Sequence, residues 1–200
     1  MHKSKKNYFP LAAVVAVFTL GSGMANAQAT PMKVGRYTSQ PIGHYEFCQQ
    51  VPAECRSNGS KVAPDTLTPA KWKKLLQINS DVNSAIVPRT DIEMWGREEI
   101  WSYPVKYGDC EDYALLKRHE LISAGFNPGN LLMTVVLQPN GDGHAVLTVR
   151  TDHGDFVLDN LVGSVLDWRD TRYRFLKRQS SANAGKWVDI IDQRRSVAQN

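Results

Sequence analysis

Apolar and polar positions alternate along this chain with two periods, and the change falls just past its middle. In TPAKWKKLLQINSDVNSAI, Trp72, Leu75, Leu76, Asn79, Val82 and Ile86 recur at helical spacing. Thr68 suits the N-cap and Pro69 the first helical position, so a helix is expected to start there. A second helix is expected from Cys110 in YGDCEDYALLKRHEL, where Tyr113, Leu115, Leu116 and Leu121 give an apolar face. Asp109 can cap it, with Asp112 three residues on in a capping-box-like position. Gly125 stops it, and Asn127-Pro128-Gly129 is a turn. From Leu131 the period becomes two. Residues 131–138 read as a strand, 139–143 as a loop, and 144–150 with 155–159 as a hairpin. Trp168, residues 173–177 and residues 187–191 suggest further strands. Helices followed by antiparallel strands predict an α+β fold. Residues 30–66, rich in Pro, Gly and Ser, read as loop, and 88–108 as a connection holding Trp95, Trp101 and Pro104. The final SVAQN reads as frayed.

The first 29 residues stand apart from this pattern. MHKSKK is basic, FPLAAVVAVFTL is apolar, and small residues follow in GSGMANAQAT. Ala25-Asn26-Ala27 and Ala27-Gln28-Ala29 both fit an A-x-A cleavage rule. This is the pattern of a secretory signal peptide, with the mature chain starting at Gln28 or Thr30. The apolar run is short for a membrane span. The expected organisation is therefore a signal over 1–29, a loop-rich segment over 30–67 and the main folded domain over 68–195.

Removing the signal takes away three lysines and no acids, so the formal charge falls from +4 to +1. The basic balance is then no argument for nucleic acid or membrane partners. What remains is one domain with a real core, without a later transmembrane run, expected as a soluble periplasmic monomer. In that oxidising compartment Cys48 and Cys55, seven apart around Pro52, are natural disulfide partners. So short a loop adds only about 2 kcal/mol. Cys110 is left over.

A cysteine at a helix start feels the positive end of the helix dipole, which lowers its pKa. A nucleophilic cysteine also needs a base, and the base needs an orienting group. His119 lies nine residues along the same helix, about 13 Å away, and does not reach. His44 lies beside the disulfide loop and His153 in the turn DHG. His144 opens a strand after a glycine-rich loop. If residues 151–154 form the hairpin loop, Arg150 faces Asp155 and Leu147 faces Leu158. Ala145, Leu147, Val149, Phe156 and Leu158 then share a core face. The opposite face carries His144, Val146 and Asp159, with Asp159 the diagonal neighbour of His144 and within side-chain reach. A turn at His153-Gly154 would place Asp159 opposite Thr148, too far away.

YGDCEDYALLKRHEL, then GHAVLTV, then FVLDNL, resembles the bacterial transglutaminase-like cysteine proteinases. The likeness includes Ile78–Asn83 (IN-x3-N) and Trp95–Trp101 (W-x5-W), and so covers about residues 68–166. It implies a papain/transglutaminase-like core, with N-terminal helices and the cysteine-bearing helix packed on an antiparallel sheet. It implies Cys110 as nucleophile, His144 as base and then acid, and Asp159 as the group orienting His144. The best-understood members are periplasmic, calcium-dependent proteases acting on protein substrates such as surface adhesins.

Three carboxylates beside a thiol oppose thiolate formation. A hard cation would cancel that penalty, and carboxylate oxygens suit Ca²⁺. The resemblance points the same way, to Glu111 and Asp112. No EF-hand loop is present, no histidine and cysteine spacing resembles a zinc ligand pair, and no organic cofactor is implied. For the oxyanion the backbone N–H of Cys110 is a candidate, with Asn83 or Trp101 as side-chain donors and Asn79 on the same helix face as Asn83. Three functions stay open. One is an endopeptidase acting through an acyl-enzyme. Another is an acyltransferase with the same triad. The third is a non-catalytic domain that binds calcium or a partner.

Overall fold

The computed structural model describes residues 30–59 and 62–194, so the expected signal over 1–29 and the SVAQN tail lie outside it. The segment read as loop holds a strand, β1 (Val34–Thr38), and a helix, α1 (Ile42–Gln50). Neither has a strong local signature. Only Gly43, His44 and Phe47 of α1 are buried, and β1 exists because it pairs with the last strand. A 3₁₀ turn, Pro52–Cys55, follows, and a Cys48–Cys55 disulfide joins it to α1. Gly43 lets α1 lie against Trp101, since a Cβ there would stand 2.4 Å from the indole Cδ1. His44 is fully enclosed. Its Nδ1 accepts the Trp187 indole N–H at 3.1 Å, and its ring meets Trp101 and Trp187 edge-on.

The first long helix is α2 (Pro69–Ala85), and the Thr68 hydroxyl accepts the Lys71 N–H as an N-cap. The connection over 88–108 is more ordered than expected. It contains α3 (Asp91–Trp95), whose start is a Thr90–Glu93 capping box. Two short parallel strands, β2 (Val87–Pro88) and β3 (Tyr107–Gly108), flank it. They deliver the chain to α4 (Cys110–Ser123).

The remaining strands are β4 (Leu131–Leu137), β5 (Gly143–Thr151), β6 (Gly154–Leu158), β7 (Leu166–Asp167), β8 (Arg174–Ser180) and β9 (Asn183–Ile190). With β1 they form one sheet in the order β1-β9-β8-β4-β5-β6-β7, antiparallel throughout. The period-two pattern decides the faces. Leu147, Val149 and Leu158 join Leu75, Val82, Leu115 and Leu121 in a core under α2 and α4. Val146 and Val157 join Trp168, Tyr173 and Phe175 on the other face. Each fully buried Leu or Val contributes roughly 1.5–3 kcal/mol, so a one-residue slip would reverse a large driving force. The observed register is the expected one: Leu147 with Leu158 and Arg150 with Asp155. The ladder continues to Thr151–Gly154, so Asp152-His153 alone makes the turn instead of a four-residue loop.

Burial, and then the Arg118 charge, lowers the His44 pKa from 6.5 to about 4. Between those values the unfolded chain takes up a proton that the folded protein refuses. Stability is therefore expected to fall from pH 6.5 towards 4, by about 3 kcal/mol at most from this residue. His44→Gln is expected to lose stability at pH 7 and to show a shallower decline below it. Denaturant titrations at several pH values check both slopes.

Candidate active site

The site forms where the N-terminus of α4 meets the first residues of β5. Cys110 is the first residue of α4. Its Sγ accepts the Ala145 N–H at 3.4 Å. Its own backbone N–H lies among the first-turn donors that no helical carbonyl satisfies. His144, the second residue of β5, lies on the face away from α4, beside Val146 and Tyr173. Its Nε2 is hydrogen-bonded to Asp159 Oδ1 at 2.8 Å, with both side chains buried. Asp159 lies one residue beyond β6, where the register had placed it. Cys110 and His144 line the same clefts, one walled by Ile42 and Trp101 and the other by Thr90 and Asn160.

Asp159 is the most heavily supported group. Burial pushes its carboxyl up, but hydrogen bonds from His144, Tyr173 and the Leu161 N–H outweigh that, and it titrates below the usual carboxylate range. The Tyr173 hydroxyl donates to Oδ2, and the Leu161 N–H donates to Oδ1 at 3.0 Å. With His144 Nε2 engaged by Asp159, Nδ1 is the ring nitrogen able to take a proton from a thiol.

The carboxylates around Cys110 do not cap the helix. Asp109 occupies the N-cap position, but its side chain makes no capping bond. It accepts the Asp91 N–H at 3.2 Å instead. Asp112 accepts the Ser102 N–H at 2.8 Å. Gly108 makes room for it, since a Cβ there would stand 2.9 Å from Asp112 Cβ. Asp91, Asp109 and Glu111 each offer an oxygen, all within 4.8 Å of one another. Asp112, expected with Glu111, lies outside that trio. Oδ1 of Asp91, Oδ1 of Asp109 and Oδ2 of Asp112 are buried without a hydrogen-bond partner. Burial, followed by the Asp109 charge, pushes Glu111 far above the carboxylate range. Burial, partly offset by the Ser102 N–H, raises Asp112 to about 7. The Cys110 thiol donates to Glu111 Oε2 at 3.1 Å. Burial and then that carboxylate raise its pKa strongly. A cation would be held here by hard oxygens, three of them at present unpartnered.

The amides considered for the oxyanion are engaged elsewhere. Asn79 Nδ2 donates to Gly163 O and Asn83 Nδ2 to Asp159 O, both at 2.9 Å. Trp101 does line the cleft with Cys110. Asp91, Tyr173 and Lys117 were not singled out from sequence. Asp91 and Tyr173 reach the site only through tertiary folding. Lys117 lies two turns along α4 from Cys110, fully buried and without a hydrogen-bond partner. Burial lowers its pKa to about 7, against an opposing pull from Asp159.

Residues 34–195 match the family model described as bacterial transglutaminase-like cysteine proteinase. A search of curated proteins finds no match. Among solved structures the fold is similar to calcium-bound LapG of Legionella pneumophila, with TM-score 0.51 and 20% identity, covering 75% of this chain and 81% of that one. A second LapG structure from the same organism gives TM-score 0.50 and 21% identity, covering 75% and 80%.

An acid whose pKa is raised in the folded state stabilises below its unfolded pKa and loses that contribution as pH rises. For Asp112 the window runs from 3.8 to about 7. In chelator, stability is expected to decline across it, by on the order of 4 kcal/mol at most from this residue. Asp112→Asn keeps an acceptor for Ser102 and should flatten the decline. Thermal unfolding of both proteins across that range checks it, and parallel curves would refute the assignment.

Proposed function

The chain belongs to the bacterial transglutaminase-like cysteine proteinases and is a cysteine peptidase, and from that premise we propose that it is exported and cleaves periplasmic or surface proteins through Cys110, His144 and Asp159. The observation that carries this reading is the 2.8 Å His144–Asp159 bond beside a cysteine at a helix start. Export rests on the signal-like first 29 residues. Among the described residues no helix is long and apolar enough to cross a membrane.

In the proposed mechanism His144 Nδ1 takes the Cys110 proton and the thiolate attacks the scissile carbonyl carbon. The C–S bond forms as the carbonyl π pair moves to oxygen, beside the Cys110 backbone N–H. His144 then gives its proton to the departing amine nitrogen as the C–N bond breaks. Water, deprotonated by His144, attacks the thioester carbon; the C–S bond breaks, the peptide acid leaves, and the proton held by His144 returns to the Cys110 thiolate. Asp159 fixes the imidazole tautomer and stabilises its cationic form, as the orienting acid does in other triads. Tyr173 and the Leu161 N–H hold Asp159 in turn.

Calcium is the proposed resident ion, as in calcium-bound LapG. Asp91, Asp109 and Glu111 would hold it, with Asp112 alongside. The donor set is all carboxylate oxygen, and two of the trio's oxygens are buried without partners. Bound there, the ion supplies positive charge that offsets the carboxylates opposing the thiolate. A surface adhesin is the substrate that the family resemblance suggests.

Alkylation of Cys110 by iodoacetamide, followed by mass spectrometry in Ca²⁺, needs no substrate. Fast labelling is expected to persist well below the free-thiol pKa of about 8.5. It should fall in His144→Ala, and peptide hydrolysis should drop at least ~100-fold in Asp159→Asn. An ordinary thiol titration, unchanged by His144→Ala, would rule the dyad out. A product mass showing amine transfer instead of water addition would make the protein an acyltransferase.

Added Ca²⁺ is expected to raise the unfolding temperature by mass action and to be reversed by chelator. Asp109→Asn and Glu111→Gln should abolish the rise, and Asp112→Asn should weaken it. A calcium response that survives Asp109→Asn and Glu111→Gln would place the ion elsewhere.

A further inference from the structure

The segment after Asp159 is held unusually firmly for a loop that exposes apolar side chains. Asn83 on α2 donates to the Asp159 carbonyl, and Asn79, one turn earlier, donates to the Gly163 carbonyl. The Leu161 N–H donates to the Asp159 carboxylate. Between these three ties Leu161 is 55% exposed and Val162 37% exposed. A loop fixed by buried amides pays no ordering entropy when something binds it. Adjacent apolar side chains held in water on such a loop are suited to contact a partner.

Beside them is a cavity of about 400 Å³, with Val157, Leu161, Val162, Leu166 and Pro139 among its walls. Asp159 and Tyr173 also line it. The cavity shares Gln138 and Leu161 with the cleft walled by Thr90 and Asn160. That cleft in turn contains Cys110 and His144. The cavity and the cleft that holds the thiol therefore adjoin, with Leu161 and Gln138 lining both. The far side of the thiol differs, with Glu99, Glu111 and Lys177 lining the other cleft.

We propose that this cavity is a specificity subsite of the peptidase, taking an aliphatic or aromatic side chain of the substrate, with Leu161 as the residue that reads it. This rests on the peptidase reading above. The occupant is a substrate side chain because the cavity opens only one cleft away from the reacting thiol. An extended peptide rises ~3.3 Å per residue. The side chain read here therefore belongs to a residue about two to four positions from the scissile bond. The neighbours of that bond lie in the clefts that contain Cys110.

The test uses a proteome-derived peptide library, the purified protein in excess Ca²⁺, and mass spectrometry of the cleavage ends. One position within that range should be enriched in Leu, Ile, Val, Met or Phe. A peptide carrying Leu there should be cleaved about tenfold better, in kcat/KM, than the same peptide carrying Ala. Leu161→Met should keep that discrimination, and Leu161→Asp should reduce it below twofold. Cleavage without an apolar preference in the wild type, or a preference that persists in Leu161→Asp, would overturn the subsite and leave the peptidase reading intact. If the wild type cleaves nothing in the library while Cys110 labels as an activated thiol, the hydrolytic reading fails and the subsite with it.

Discussion

Like charges crowded together at the start of α4 set the terms for the rest of the site. Three carboxylates meet within 4.8 Å, and two of them are almost wholly out of water. Such a cluster is tolerable only if protons or a cation neutralise it. Without the ion, burial and the Asp109 charge favour the protonated form of Glu111, and the Cys110 thiol lies in a hydrogen bond with it. The surrounding sequence supports the cluster and leaves its charge in place. Gly108 makes room for Asp112, β2 and β3 fix the approach, and α3 presents Asp91. These elements hold the acids beside Cys110 at a cost in stability, a pattern expected of a functional site.

The other half of the site is built to the opposite rule. Asp159 sits among donors: the imidazole, a phenol and a backbone N–H. It therefore stays charged where Glu111 does not. Two carboxyls near the same thiol are thus driven apart in protonation by their surroundings. The asparagines of α2 contribute by fixing the loop that carries Asp159, which explains their helical spacing without giving them a place in the chemistry.

The sequence disclosed the parts governed by a short-range rule. Alternation placed the β5–β6 register, because a slip would expose Leu147, Val149 and Leu158 together. That register alone brought His144 to Asp159. Thr68-Pro69 marked α2 because capping is local. Helix α1 escaped notice because only three of its residues are buried, one a glycine and one a histidine. Asp109 looked like a cap because no rule within the segment reveals Asp91, which is eighteen residues upstream and competes for the same carboxylate. Tyr173 was silent for a similar reason: its partner is fourteen residues away across the sheet.

The pairing of β1 with β9 has a consequence for the order in which the molecule is assembled. Val34 lies opposite Ile190, and His44, on the helix that follows β1, is held by Trp187 of β9. The wall of the cleft formed by Ile42 and Trp101 therefore depends on a contact spanning nearly the whole described chain. Contacts of such separation form late, because loop closure must come first. A chain emerging from a ribosome holds its cysteine, histidine and aspartate long before it holds that wall. The protease is thus left unfinished during synthesis, when an active thiol would face unfolded neighbours.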